Sequence, residues 1–216
     1  MSLAPLTAEA LLSPAQPAGW GGAINDTRRD LILRAARDEF IDKGLEGASM
    51  RGIARRAGCT TGAIYPQFVS KEAIYAALLA QSLALLDAQV AAAVDTADLP
   101  GHQVSAACHA FLRYYLAHPF EVNLGLYAFR GIKRQGVGQT SNHALNAALW
   151  QVLDRIAQPL ALARGLGAQE ARPLVALIFS QMIGGLVLQL AGRLDPLDTD
   201  AAALLQLMLV SLRLPA

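Results

Sequence analysis

The chain has 216 residues, of which 54% are apolar and 16% charged. That excludes a wholly disordered chain, which would bury too little apolar surface to offset its ordering entropy. Its 18 Lys and Arg against 17 Asp and Glu leave a net charge of +1, so nucleic-acid binding would have to come from a local basic patch and not from bulk charge.

Residues 1–25 carry no Lys or Arg and are broken by Pro5, Pro14 and Pro17. They read as a flexible N-terminal arm and not as an export signal. Helical periodicity then dominates, and no stretch alternates apolar and polar residues between hairpin turns, so the chain reads as all-α. The first helix is expected over Arg28–Lys43, with Ile32, Ala35, Ala36, Phe40 and Lys43 on one stripe and Gly44 as its C-terminal cap. Ser49 caps a short helix, Met50–Ala57, with Met50, Ile53, Ala54 and Ala57 inward. Gly58 and Cys59 make a tight turn, Thr60 caps a third helix over Thr61–Phe68, and Ser70 caps a long fourth one over Lys71–Val94.

Leu99-Pro100-Gly101 is an internal break. Beyond it, helices are expected at His102–His118, Glu121–Gly131, Asn142–Arg164, Gln169–Arg193 and Asp198–Leu212, with a glycine-rich loop over Gly131–Gln139. The uncharged run Pro173–Gly192 is long enough to span a bilayer. Its Ser180, Gln181, Gly184, Gly185 and Gln189 favour a core helix, so no membrane partner is expected.

The chemistry-bearing feature is the pair of short helices around Gly58, a helix-turn-helix pattern. In such a unit the first helix braces the second, which presents small and polar residues to the DNA major groove. Thr60, Thr61, Gly62 and Ala63 are small enough for close approach, and the amides at that helix start favour an anion. Gly47–Lys71 holds four basic residues (Arg51, Arg55, Arg56, Lys71) and no acidic one, the local charge that DNA binding needs.

Arg28–Leu79 resembles the DNA-binding domain of TetR-type transcriptional regulators. The resemblance is carried by Ile32, Ala35, Ala36, Phe40, Gly44, Ile53, Ala54, Ala57, Gly58 and Thr60. The spacing Gly62-x-Ile64-Tyr65-x-x-Phe68-x-x-Lys71-x-x-Ile74 is its most specific part. It implies that Thr60, Thr61 and Ala63 lie nearest the bases and that Tyr65 and Lys71 grip phosphates. It also implies that Arg28, at the start of the first helix, reaches backbone or minor groove. Pro66-Gln67 departs from the family, which has an aromatic or polar residue followed by His. Proline lacks an amide and disfavours helix at Tyr65, so the recognition helix is expected to end a turn early or to kink, and the phosphate contact passes to Gln67 or is lost. The resulting division is 1–25 arm, 26–85 helix-turn-helix domain and 86–216 effector-binding and dimerisation domain.

The last two helices are apolar nearly all round, and a helix of that kind must be covered on every side. Ser180, Gly184, Leu188, Leu205 and Met208 are therefore expected at a homodimer interface, and the resemblance points to the same two helices. Such a dimer would place two recognition helices on successive major grooves of a near-palindromic double-stranded operator. Phe111, Tyr115, Tyr127, Trp150 and Gln181 are candidates for a small-molecule effector site, with a largely apolar ligand. From Ala77 onward nine Lys and Arg balance nine Asp and Glu, so a highly charged effector is not expected; Arg113, Arg130 and Lys133 leave room for an acidic head group.

Neither a Ser/His/Asp triad nor a phosphate-binding glycine loop is present. The four histidines lack metal-ligand spacing. No catalytic residue, cofactor or metal is expected. The alternatives are an all-α enzyme and a helical membrane-associated protein. Two cysteines, Cys59 and Cys108, are too few for a disulfide framework, which fits a reducing, cytoplasmic setting.

Overall fold

The computed structural model describes residues 20–127 and 139–215, with side chains over 25–125 and 142–215. Among these the regular elements are all helical. They are α1 Trp20–Gly47, α2 Met50–Arg56, α3 Thr61–Ile64, α4 Lys71–Val94, α5 Pro100–Ala117, α6 Pro119–Tyr127, α7 Gln139–Arg164, α8 Ala168–Leu190, a 3₁₀ turn Asp195–Leu197, and α9 Ala201–Ser211.

The largest departure from the sequence expectation is at the start of α1. α1 begins at Trp20, two turns ahead of Arg28. Pro17 is the last proline before Pro66, so nothing stops the helix from running back that far. Residues 20–25 of the expected arm are thus helical, and residues 1–19 lie outside the described residues. At its other end α1 breaks at Gly44, whose φ of 66° is the left-handed conformation that glycine adopts without a Cβ penalty. α3 ends at Ile64, one turn short of Phe68, the early end expected from Pro66. The expected loop at Gly131–Gln139 falls almost wholly outside the described residues.

The described residues form two compact units, within Met1–Ser82 plus Leu124–Asn146 and within Leu83–Asn123 plus Ala147–Ala216. α4 is continuous through the first boundary. In the first unit α1 packs on α2 and α2 on α3. Ile32, Ala36 and Phe40 of α1, Ile53 and Ala54 of α2, Ile64 of α3 and Ile74 of α4 are buried together with Phe68. Phe40 and Tyr75 meet edge to face at 6.5 Å. The Tyr75 hydroxyl donates to the Leu124 carbonyl, which ties the end of α6 to this unit and explains why that segment groups with residues far from it in sequence.

In the second unit α9 packs on α8 and α5, and α5 on α8. Phe111, Leu160, Ile178, Leu186 and Leu209 form its core. Arg155 Nε donates to Asp87 Oδ1 at 3.1 Å, and Arg164 Nη1 to the Leu212 carbonyl at 2.6 Å. The interface expectation needs correction here: Leu205 and Met208 are 4% and 8% exposed within one protomer, while Leu207 and Val210 of the same helix are 67% and 60% exposed. A helix apolar around its whole circumference gives periodicity no phase, so the sequence could not tell inward from outward. On α8, Ser180 and Leu188 are exposed, and Gly184 is half-buried. By length and composition both α4 and α8 are apolar enough to cross a membrane.

The core assignment is testable by urea denaturation. Leu205→Ala should cost about 2–5 kcal/mol, whereas Leu162→Ala, on an exposed position, should stay within about 0.5 kcal/mol of the wild type.

Candidate nucleic-acid interface

α2 begins with a made cap: the Gly52 amide donates to Ser49 Oγ at 3.0 Å. It ends at Arg56 with Ala57 as its C-cap, and Gly58, at φ 65°, turns the chain toward α3. Thr60 occupies the cap position of α3 without a side-chain cap bond. Thr60 and Gly62 are exposed and Thr61 and Ala63 half-buried, while Ile64 is buried beneath them. A Cβ added at Gly62 would meet only Thr60 Oγ1, at 3.9 Å. The protomer therefore does not require a glycine there, and its smallness serves the outer surface. Lys43, Arg51, Arg55, Cys59, Thr60 and Thr61 help line an open groove of about 630 Å³. Arg51, Arg55 and Arg28 are exposed.

The C-terminal end of α3 has a specific cause. Tyr65 keeps helical dihedrals, φ −55° and ψ −34°, so the steric bias against helix before a proline is not what stops it. The missing Pro66 amide is, because it would have donated to the Gly62 carbonyl. The Gln67 and Phe68 amides both close on the Ile64 carbonyl, at 2.8 and 2.9 Å, and the chain leaves as a turn. Tyr65 remains 53% exposed. Gln67 does not stand free: its Nε2 donates to Asn25 Oδ1 at 2.7 Å.

Two of the four basic residues between Gly47 and Lys71 have other occupations. Lys71 Nζ donates to the carbonyls of Leu45, Glu46 and Ala48 at 2.9, 3.2 and 3.1 Å. Its three protons thus cap the end of α1, where a cation also suits the helix dipole. Arg56 Nε donates to Glu39 Oε2 at 2.6 Å, and its Nη2 to Asp42. Glu39 is fully buried in α1 and also accepts from Lys43 Nζ at 2.7 Å. The hydrogen bond from Lys43, then that from Arg56, holds the Glu39 carboxyl below the usual carboxylate range against the opposing cost of burial. A Cβ at Gly52 would come within 2.0 Å of Glu39 Oε1, so Gly52 is the notch that lets α2 close over this carboxylate.

Sequence reasoning missed Glu39. Its position was readable: it lies on the apolar stripe of α1, between Ala36 and Phe40, where a carboxylate needs a partner. Lys43 on the same stripe was the second signal.

The effector candidates differ in burial. Phe111 and Tyr115 pack edge to face at 4.9 Å, with Phe179 at 6.1 Å from Phe111. Burial pushes the Tyr115 hydroxyl up and keeps it protonated. Trp150 and Gln181 are exposed instead, and the Arg172 guanidinium lies 5.4 Å from the Trp150 ring centroid. The side chain of Tyr127 lies outside the described ones. Both cysteines are free, and burial raises the Cys108 thiol to about 12. Among the described residues no group of three His, Cys, Asp or Glu side chains could hold a metal ion.

The Glu39 clamp makes two expectations. Glu39→Gln should lower stability at pH 7 by roughly 1–3 kcal/mol. Because the folded pKa lies below the unfolded value of about 4.3, that stabilisation is complete above it and is lost as pH falls through the folded pKa. The gap between wild type and Glu39→Gln in urea melts should therefore narrow in acid. Gly52→Ala should cost about 1–3 kcal/mol by overpacking, and a neutral result would show that α2 closes differently.

The profile of bacterial regulatory proteins of the tetR family matches residues 32–78. That of the tetracyclin repressor-like C-terminal domain matches residues 104–212, about half of the chain. The HTH-type transcriptional repressor KstR2 of Mycolicibacterium smegmatis is 35% identical over 88 residues, 41% of this chain and 39% of that protein. The HTH-type transcriptional activator FasR of the same organism is 35% identical over 89 residues, 41% of each. The chain thus spans about two-fifths of the length of these relatives. The transcriptional regulator FadR from Bacillus subtilis, solved in complex with stearoyl-CoA, superposes with a TM-score of 0.66 at 16% identity. That superposition covers 83% of this chain and 94% of FadR, and at that identity the likeness is one of fold. With both profiles matched in order and the helix-turn-helix built as described, the chain belongs to the TetR family of bacterial regulatory proteins.

Proposed function

We propose that this protein is a homodimeric transcriptional repressor that reads a near-palindromic operator and releases or tightens its hold in response to a small molecule. The observation that carries the DNA reading is the surface at the start of α3. Thr60, Thr61, Gly62 and Ala63 stand over a buried Ile64, beside an open groove edged by Arg51 and Arg55. Small residues admit a base edge, and the two arginines supply phosphate contacts. Tyr65 offers its hydroxyl to the backbone. Lys71 acts as a brace in this reading, because its three protons are committed to carbonyls.

That division of labour has a direct test in the salt dependence of DNA binding. Each phosphate contact removed should lower the slope of log K against log salt by about one. Arg55→Ala should therefore reduce affinity and slope together. Lys71→Ala should reduce affinity and thermal stability while leaving the slope unchanged. A slope lowered by Lys71→Ala would return the lysine to the phosphates.

The dimer reading rests on an apolar stripe of α8, where Leu177, Ser180, Gly184 and Leu188 recur at helical spacing, with Leu207 and Val210 of α9. A Cβ added at Gly184 meets nothing within 4 Å in the protomer. Gly184→Leu should thus leave the protomer folded and obstruct a partner helix, and Leu207→Glu should place a charge in the same seam. Light scattering should show a wild-type dimer and a weakened dimer in both variants; a folded wild-type monomer at micromolar concentration would contradict the reading.

The effector reading keeps a largely apolar molecule with an acidic head. The FadR relative was solved with a long-chain acyl-CoA, which makes that class the first to try here. α4, continuous from one unit to the other, is the element through which differential affinity for two states would reach the DNA-binding unit.

A further inference from the structure

Asn25 and Arg29 stand one turn apart on α1, and both reach the chain just after α3. Gln67 Nε2 donates to Asn25 Oδ1 at 2.7 Å, and the Arg29 guanidinium lies 4.4 Å from the Phe68 ring centroid. Burial lowers the Arg29 pKa, while Asp30 and Asp26 oppose that; a guanidinium so placed stays charged at any working pH. Arg28, on the same side of the helix by its spacing from Asn25, is exposed.

These contacts fall on the one segment of the DNA-reading unit that has lost its helical support. Once Pro66 ends α3, the backbone of Tyr65–Phe68 keeps the amide bonds of Gln67 and Phe68 to Ile64, and the Phe68 ring is anchored in the core. Beyond that anchor the turn is held from α1, by Asn25 on Gln67 and by Arg29 over the Phe68 ring. The tetR profile match begins at residue 32, and Asn25 and Arg29 lie ahead of the matched residues.

We propose that Asn25 and Arg29 are positioning residues for DNA reading: they clamp Gln67 and Phe68, hold the Pro66 turn in place of the missing helical turn, and so set the approach of Tyr65 and Ala63 to the duplex. The α1 extension is then a working part of the DNA-binding unit and not the root of a dispensable arm. Gln67 acts through Asn25 in this arrangement and not as a substitute phosphate ligand.

The proposal rests on the DNA-binding reading, so wild-type binding to a duplex enriched from a random-sequence pool is the control. On that duplex, Asn25→Ala and Gln67→Ala should each weaken binding by about fivefold. The double variant should be no weaker than either single one, because both remove the same contact. Salt slope and melting temperature should stay at wild-type values, which a general loss of structure would not allow. Arg29→Ala should weaken binding, and Arg29→Lys should recover part of it by keeping a cation over the ring. Tight wild-type binding with Asn25→Ala within about twofold of it, or single effects that multiply in the double variant, would overturn the clamp alone. Failure of the wild type to enrich any duplex would overturn the DNA reading and the clamp with it.

Discussion

A carboxylate buried at the seam of α1 and α2 organises the helix-turn-helix unit. Glu39 has no solvent exposure and three close charged neighbours in its network: Lys43 and Arg56 bond it directly, and Asp42 takes the other end of the Arg56 fork. A charge so placed is costly unless every partner is kept. The sequence keeps them, and it adds Gly52 so that α2 can approach within reach. The angle of α2 on α1 is thereby held by directional bonds, whereas apolar packing of Ile53 and Ala54 alone would tolerate more than one setting.

This arrangement changes the electrostatic reading of the interface. The run from Gly47 to Lys71 carries four positive charges, but Arg56 is neutralised internally and Lys71 caps α1. The run exposes Arg51, Arg55 and Arg56, the last of them held by Glu39 and Asp42, and α1 contributes Arg28. With few outward charges, the proposed DNA interface depends on shape and placement more than on bulk attraction. That is why positioning contacts, at Glu39, Lys71 and Asn25, carry so much of the account.

The sequence made the helices and the helix-turn-helix readable because those rest on local signals: the Ser49 cap, the glycines at 44 and 58, and the start of α4 at Lys71. The early end of α3 was readable from Pro66, though the operative cause is its missing amide and not the bias on Tyr65. What was not readable depends on which side of an element faces another. Leu205 and Leu207 are chemically alike, and only packing separates the buried one from the exposed one. Phe111 and Trp150 likewise share aromatic character, yet one is core and the other surface. The Asn25–Gln67 bond joins residues 42 apart, a distance over which no periodicity carries information.

Footprinting of the 216-residue chain on a duplex it selects shows whether paired α3 elements read the groove. Two α3 surfaces related by a two-fold axis should protect two half-sites roughly one helical turn, about 34 Å, apart on one face of the DNA. Two symmetric protected patches at that spacing, lost in Thr61→Ala at one base position of each half-site, are the predicted result. A single patch, or protection with no symmetry, would contradict an account in which paired α3 elements read the groove.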